Sequence, residues 1–278
     1  MPGGTLYVVA TPLGHLGDLT ARATELLRAV PLVAAEDTRR TRALLSHLHA
    51  HPRLVSYHAH SNTGAAGRIL AALREGKDVA LVTDAGTPAV SDPGAALVAA
   101  VRSAGYAVVP VPGPSAVTAA LSAAGLPADR YVFLGFLPRK GAERARLLER
   151  IGREEWTIVL FEAPGRVGEL LGDLSVACGG DRRAVVAREL TKLHEEFRVG
   201  TVGKLAVEFS GGPEVRGECT IVLEGSALPP ERADPDRVRN AARRLLAAGL
   251  ARREVIELMT ELFGVSRNDA YRIVTRDE

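Results

Sequence analysis

Three short segments carry the residue types that proton transfer or charge stabilisation needs. Glu36-Asp37-Thr38-Arg39-Arg40, Glu162-Ala163-Pro164-Gly165-Arg166 and Glu189-Leu190-Thr191-Lys192 each set carboxylates beside cations. A carboxylate can accept a proton, and a nearby lysine can stabilise an oxyanion as it forms. The same residues also suit a plainer structural role, because Asp37 or Thr38 can cap a helix, where an acid complements the helix dipole. His58-Ala59-His60 is the one close histidine pair. On a strand this spacing would put both rings on one face, able to hold a metal; on a loop they would serve hydrogen bonding. With no cysteine nearby, a polar pair lining a substrate cleft is the preferred reading, and no metal site is expected.

Each of the three segments follows a short β-branched or aliphatic run: Leu32–Ala35, Thr157–Phe161 and Ala184–Ala187. Three Gly/Pro loops do the same. Thr11-Pro12-Leu13-Gly14 follows Leu6–Ala10, Asp84-Ala85-Gly86-Thr87-Pro88 follows Val79–Thr83, and Pro112-Gly113-Pro114-Ser115 follows Ala107–Val111. In open α/β sheets, ligands bind outside the carboxyl ends of the strands. Glycine there lets backbone groups touch a ligand. Three such loops could line one crevice, although any one alone reads as a tight turn. Helical patterns at Arg22–Val30, Arg39–Leu48, Thr63–Arg74 and Ala95–Ala104 alternate with these runs and with Leu54–Ser56. The alternation predicts a mostly parallel sheet covered by helices.

Pro112-Gly113-Pro114 is the best candidate hinge, dividing residues 1–112 from a second α/β domain over 113–227. The second domain reads as strands Tyr131–Leu134, Thr157–Phe161 and Ala184–Ala187, with helices Glu143–Ile151 and Val167–Leu174. Phe197–Gly200 and Glu218–Leu223, separated by a short helical segment near Gly203–Phe209, predict an antiparallel finish. Leu228-Pro229-Pro230 reads as a linker. Beyond it, residues 235–278 hold three short helices, Pro235–Leu246, Arg252–Leu262 and Ser266–Val274, with Gly249 and Gly264 as stops and Ser266/Asp269 as a capping box.

Composition narrows the function classes. The chain has 278 residues, 46% of them hydrophobic, enough for two domains with real cores. No apolar run reaches the length of a membrane span, and no leader pattern opens the chain, so a cytoplasmic location is expected. Cys178 and Cys219 lie far apart, which excludes a disulfide framework and a cysteine zinc site. The 35 basic and 33 acidic residues nearly cancel overall. From Asp236 to Arg276, however, 9 arginines face 5 acids, a basic tail that hints at a phosphate-rich partner. A solvated helical bundle explains that tail equally well. No Gly-x-Gly-x-x-Gly and no Walker A sequence is present, and neither Ser91 nor Ser115 sits in a nucleophile elbow. Dinucleotide oxidoreduction and phosphoryl transfer lose weight accordingly.

The loops Thr11–Asp18, Ala35-Glu36-Asp37-Thr38-Arg39, Asp84–Pro88 and Pro112-Gly113-Pro114 together resemble the tetrapyrrole-methylase-like (class III) methyltransferases. His58-Ala59-His60, Ala119–Pro127, Gly135-Phe136-Leu137-Pro138, Ala187–Lys192 and Arg216-Gly217-Glu218 extend the resemblance to the branch acting on ribosomal RNA. The chain departs from the pattern at His15, usually Asn, and at Gly165, where a His usually precedes the Arg. The resemblance implies two α/β domains of the tetrapyrrole methylase type with a cofactor cleft between them, plus a small C-terminal three-helix module. It implies S-adenosylmethionine-dependent 2′-O-methylation of a decoding-region cytidine in 16S rRNA, on the small ribosomal subunit, by a homodimer. A tetrapyrrole methyltransferase of the same fold and a non-catalytic RNA-binding module are the alternatives.

On this basis Pro12, Gly14, Asp84, Ala85, Gly86, Pro88, Gly113, Ser115, Glu162 and Glu189 are the expected cofactor contacts. Glu36, Asp37 and Lys192 are the expected catalytic groups. Arg39, Arg40, His58, His60, Arg139, Lys140, Arg166, Arg243, Arg244 and Arg252 are the expected RNA contacts. Gly86→Val is expected to abolish cofactor binding while leaving the fold intact.

Overall fold

The computed structural model describes residues 3–58, 63–211, 217–226 and 235–275. His60, Arg216 and the Leu228-Pro229-Pro230 linker lie outside the described residues. The chain forms two compact units, Met1–Gly225 and Ser226–Glu278.

The first unit holds two sheets. In the first sheet, β1 (Leu6–Val9), β2 (Leu32–Ala35), β3 (Arg53–Ser56), β4 (Val79–Val82) and β5 (Val108–Val111) run parallel in the order β3-β2-β4-β1-β5. Strands β2 and β4 are buried along their whole length, as parallel strands covered on both faces are. Helices α1 (Ala21–Ala29) and α2 (Thr38–His47) pack Ala23, Leu27 and Leu45 against Val9, Val33 and Val82 on one face. On the other face, α3 (Thr63–Arg74) and α4 (Ala95–Ser103) pack Ile69, Leu73, Leu97 and Val101 against Leu6, Ala34 and Leu81. Thr20 caps α1 by accepting from the Ala23 N–H at 3.2 Å.

The second sheet is mixed. Strands β6 (Tyr131–Phe136), β7 (Thr157–Glu162), β8 (Arg183–Arg188), β9 (Glu196–Thr201) and β10 (Cys219–Leu223) lie in the order β6-β7-β10-β8-β9. Only β6 and β7 pair in parallel; the remaining pairs are antiparallel, as the close spacing of the last two strands predicts. Helix α5 (Ala116–Ala124) starts directly after Pro112–Pro114 and covers one face, with Val117, Ala120 and Leu121 against Val159, Val185 and Val222. Its exposed side holds only Thr118, Ser122 and alanine, so its hydrophobic period is weak. On the other face, α6 (Ala142–Arg153), α7 (Val167–Cys178) and α8 (Val202–Gly211) pack onto Ile158, Leu160, Val186 and Ile221.

Arg144 of α6 is buried, with 7% of its side chain exposed, and bridges two elements. It donates to Asp173 of α7 at 2.6 and 3.0 Å and to the Pro138 carbonyl at 2.9 Å. This fixes the turn that follows β6.

The second unit is α9 (Pro235–Ala247), α10 (Arg252–Phe263) and α11 (Arg267–Thr275) around Val238, Ala242, Val255, Met259, Ala270 and Val274. Gly264 ends α10 in the left-handed region at φ 62°. Ser266 accepts from the Asp269 N–H at 3.1 Å, while the Asp269 carboxylate takes the Ser266 hydroxyl at 2.7 Å. The capping box therefore closes side chain to side chain.

Removing Asp173 strands a buried guanidinium with one carbonyl partner. Asp173→Ala is expected to cost about 2 kcal/mol, within the range for a buried charged donor losing its partner. Denaturant unfolding checks this: a lower midpoint at unchanged slope is expected.

Candidate active site

The carboxyl ends of β2, β4, β5, β6 and β7 and the start of β10 surround a cavity of about 410 Å³. Its position follows from strand direction. In the antiparallel pair, Cys219 and Thr220 sit opposite Glu162 and Phe161, so β10 begins where β7 ends. Two sheets thus deliver their loops to one place.

The three Gly/Pro loops brace one another there. Thr11 and Gly86 exchange backbone hydrogen bonds at 2.9 and 3.0 Å, and the Thr11 hydroxyl donates to the Thr83 carbonyl at 3.1 Å. The Thr87 hydroxyl donates to the Pro114 carbonyl at 3.1 Å. The second sheet joins through the His15 N–H, which donates to the Thr191 hydroxyl at 3.0 Å. His15 also caps a short 3₁₀ turn, its Nδ1 accepting from Gly17 at 3.1 Å. The departure at His15 is therefore absorbed by loop structure. At Gly165 an added Cβ would meet open space.

Five carboxylates face the cavity: Glu36, Asp84, Asp92, Glu162 and Glu218. Glu36 follows β2 and accepts the Thr83 hydroxyl at 2.6 Å and the Asp84 N–H at 3.4 Å. Asp84 accepts the Asp37 N–H at 3.0 Å and lies 3.6 Å from Arg40; burial raises its pKa above the usual value. Glu162 is 2% exposed, and its Oε1 takes the Ala163 N–H at 2.8 Å and lies 3.4 Å from Arg166. Its Oε2 is buried with no hydrogen-bond partner among the described residues. Such an atom costs free energy unless something else fills the place. Burial pushes the Asp92 carboxyl up to about 6, with Glu36, Asp84 and Glu218 adding to the rise. Leu13, Val117, Phe136 and Phe161 give the cavity an apolar wall, the two rings meeting edge to face at 5.6 Å.

Of the expected cofactor contacts, Asp84, Ala85, Gly86, Ser115 and Glu162 line this cavity. Pro12, Gly14, Pro88, Gly113 and Glu189 do not; they shape the loops behind it. A Cβ on Gly14 would collide with the Lys192 Cγ, and one on Gly113 would come within 3.0 Å of the Ala10 Cβ. These glycines permit chain–chain approach rather than ligand approach. Gly86 adopts φ +82°, so Gly86→Val strains the backbone itself and cannot leave the fold unperturbed.

Among the expected catalytic groups only Glu36 lines the cavity. Asp37 is the cap of α2, accepting from the Arg39 N–H at 2.8 Å and pairing with its guanidinium at 2.7 Å. That hydrogen bond holds its carboxyl down to about 2, a poor base. Lys192 resists desolvation by pairing with Glu189 at 2.8 Å and Glu218 at 3.4 Å, which together raise its pKa. Arg40 lines the cavity and is largely exposed, as Arg39, Arg139, Lys140, Arg243, Arg244 and Arg252 also are. Arg166 instead packs between Glu162 and Glu169. His58 follows β3 outside any strand and is exposed, so a shared strand face for the histidine pair is not seen at that residue.

Sequence reasoning missed Asp92 and gave Glu218 no chemical role. Ser91-Asp92-Pro93-Gly94 reads as ordinary turn and cap chemistry before α4, and nothing in its letters marks a half-buried acid facing a cavity.

The profile of the tetrapyrrole (corrin/porphyrin) methylases matches residues 5–206. Ribosomal RNA small subunit methyltransferase I of Synechocystis sp. is 44% identical over 272 residues, 97% of each chain. The protein of that name from Escherichia coli O157:H7 is 43% identical, covering 97% of this chain and 94% of its own. Among solved structures, the cobalt precorrin-4 methyltransferase CbiF superposes with TM-score 0.62 at 22% identity, over 79% of this chain and 94% of its own. A Thermus thermophilus uroporphyrin-III C-methyltransferase complexed with S-adenosylhomocysteine gives 0.59 at 21%, over 80% and 97%. The chain belongs to the tetrapyrrole methylase family and, within it, to the group of the ribosomal RNA small subunit methyltransferases I.

Gly14→Val should force Lys192 aside and loosen the His15–Thr191 link. A lower unfolding midpoint and faster exchange of the His15 amide are expected, with Gly165→Ala as a neutral control. Unchanged exchange at His15 would contradict the close approach.

Proposed function

We propose that this chain transfers a methyl group from S-adenosylmethionine to the 2′-hydroxyl of a decoding-region cytidine in 16S rRNA, on the small ribosomal subunit. The observation that carries the reading is the buried, unpartnered Glu162 Oε2 in a cavity with four further carboxylates. That donor set fits a ligand bearing a sulfonium and an ammonium group. The near-full-length relatives named for ribosomal RNA methylation support RNA over a tetrapyrrole as the acceptor.

When bound, S-adenosylmethionine supplies an electrophilic methyl carbon on a cationic sulfur. Glu162 and Asp84 would hold the positive groups, and the Leu13, Val117 and Phe136 wall would take the flat apolar part. Backbone groups of Ala85, Gly86 and Ser115 supply directional hydrogen bonds. Glu36 fixes the Thr83 hydroxyl, and Lys192 keeps Glu218 and Glu189 in place. Methyl transfer to a hydroxyl depends on alignment and on removal of its proton, so a water-poor, ordered cavity is the main requirement. Arg39, Arg40, Arg139 and Lys140 offer phosphate contacts around the first unit. Arg243, Arg244 and Arg252 give the three-helix unit an electrostatic, sequence-independent grip on RNA. The same reading takes a homodimer in the cytoplasm as the working form.

Two measurements test the reading. Incubation with S-adenosylmethionine and unmethylated small subunits, followed by nucleoside mass spectrometry, should yield 2′-O-methylcytidine; methylation of a tetrapyrrole instead would overturn it. Glu162→Gln should keep the fold yet weaken S-adenosylmethionine binding at least about tenfold, the effect of losing one interaction of about 1.4 kcal/mol. Calorimetry reads this directly. Truncation after Gly225 should flatten the salt dependence of subunit binding while leaving cofactor affinity unchanged.

A further inference from the structure

We infer that Asp92 accepts the proton of the attacking ribose hydroxyl, a role that rests on the transfer reaction proposed above. Every other carboxylate on the cavity wall already accepts a hydrogen bond or pairs with a cation, Glu162 through its Oε1 alone. Glu36 holds the Thr83 hydroxyl and the Asp84 N–H, and Asp84 holds the Asp37 N–H and Arg40. Glu162 has Arg166 beside it, and Glu218 pairs with Lys192. A cation partner keeps a carboxylate ionised but makes it a weak base. Asp92 has no such partner among the described residues. The charged groups bearing most on it are acids from three other segments: Glu36 after β2, Asp84 after β4 and Glu218 before β10. Arg40 on this wall pairs with Asp84, and Lys192, outside the cavity lining, pairs with Glu218.

The Thr83 side chain favours the ionised form of Asp92, but burial and the neighbouring acid Glu36 outweigh it. Asp92 lines the cavity on a strained loop: Ala89 and Ser91 both hold positive φ, 68° and 61°, costly for residues with a Cβ. The unpartnered Glu162 Oε2 in the same cavity marks where the cation sits. A carboxyl that titrates at about 6 is ionised at neutral pH and still basic enough to take a proton in the transition state. Asp92 takes the hydroxyl proton as the ribose oxygen bonds to the methyl carbon, and the carbon–sulfur bonding pair stays on sulfur. The positive charge lost from sulfur reappears as the proton on Asp92, which then passes to solvent.

The test uses the full chain and Asp92→Asn, which keeps shape and removes the base. Wild-type single-turnover transfer to small subunits should rise with pH through about 6, the Asp92 carboxyl value. The variant should lose that rise and be about a hundred- to ten-thousand-fold slower, the usual loss of a general base. Calorimetric affinity for S-adenosylhomocysteine should stay within a few-fold. A second readout needs no turnover. A raised folded-state pKa makes the wild type lose stability relative to Asp92→Asn as pH rises from about 4 to about 6. A rate within a few-fold of wild type, a retained pH limb, loss confined to ligand affinity, or parallel stability curves would overturn the assignment. If the wild type transfers no methyl group to the subunit, the proposed reaction itself fails and the assignment falls with it.

Discussion

Carboxylates crowded into one cavity repel one another, and much of the surrounding structure offsets that repulsion. Five acids reach the same space from both sheets. In a cavity partly shielded from water, like charges cost more to hold together than they would in solvent. The chain answers locally, with a donor for four of the five: Thr83 for Glu36, the Asp37 amide and Arg40 for Asp84, Arg166 for Glu162 and Lys192 for Glu218. Those donors dictate loop shapes. Lys192 can reach Glu189 and Glu218 only because Gly14 leaves room for its stem, and the Glu189 carboxylate needs Gly217 beside it. Thr191 then closes the seam by accepting from His15. The bracing is tight everywhere except at Glu162 Oε2 and Asp92. There the electrostatics stay unbalanced, and a cationic ligand would restore the balance.

Strands and amphipathic helices were legible because their cause is local. Val33, Ala80 and Val185 sit in short apolar runs bounded by glycine, proline or a capping acid, and a period of two or 3.6 follows from the backbone alone. The convergence of the three Gly/Pro loops was legible for a related reason: parallel strands put their loops at one edge. Helix α5 escaped because the exposed side of AVTAALSAA holds only Thr118, Ser122 and alanine, too weak a contrast to show its period. Asp92 escaped because the acids that act on it, Glu36, Asp84 and Glu218, come from segments far apart in sequence. Pairing and capping, likewise, cannot be read from composition. Asp37 and Lys192 have catalytic side chains by type, yet one is tied down by Arg39 and the other by two carboxylates.

The glycines carry a similar lesson. A Gly at a strand end can serve a ligand or a neighbouring chain, and only the contacts of an imagined Cβ tell the two apart. Gly14 and Gly113 serve neighbours, while Gly86 is required by its own φ. Function then rests on what remains free on the cavity wall: backbone of the Ala85–Gly86 turn, the start of α5, an apolar patch and unbalanced negative charge. These suit a cationic, partly aromatic ligand such as S-adenosylmethionine, and they need no glycine-rich pyrophosphate cradle.

The central claim is that loops from both sheets close on one ligand. Hydrogen–deuterium exchange of the full chain with and without S-adenosylmethionine tests it most directly. Protection is expected together in residues 84–92 of the first sheet and in residues 161–164 and 218–220 of the second. Protection confined to the loops of one sheet, or none at saturating ligand, would contradict the account.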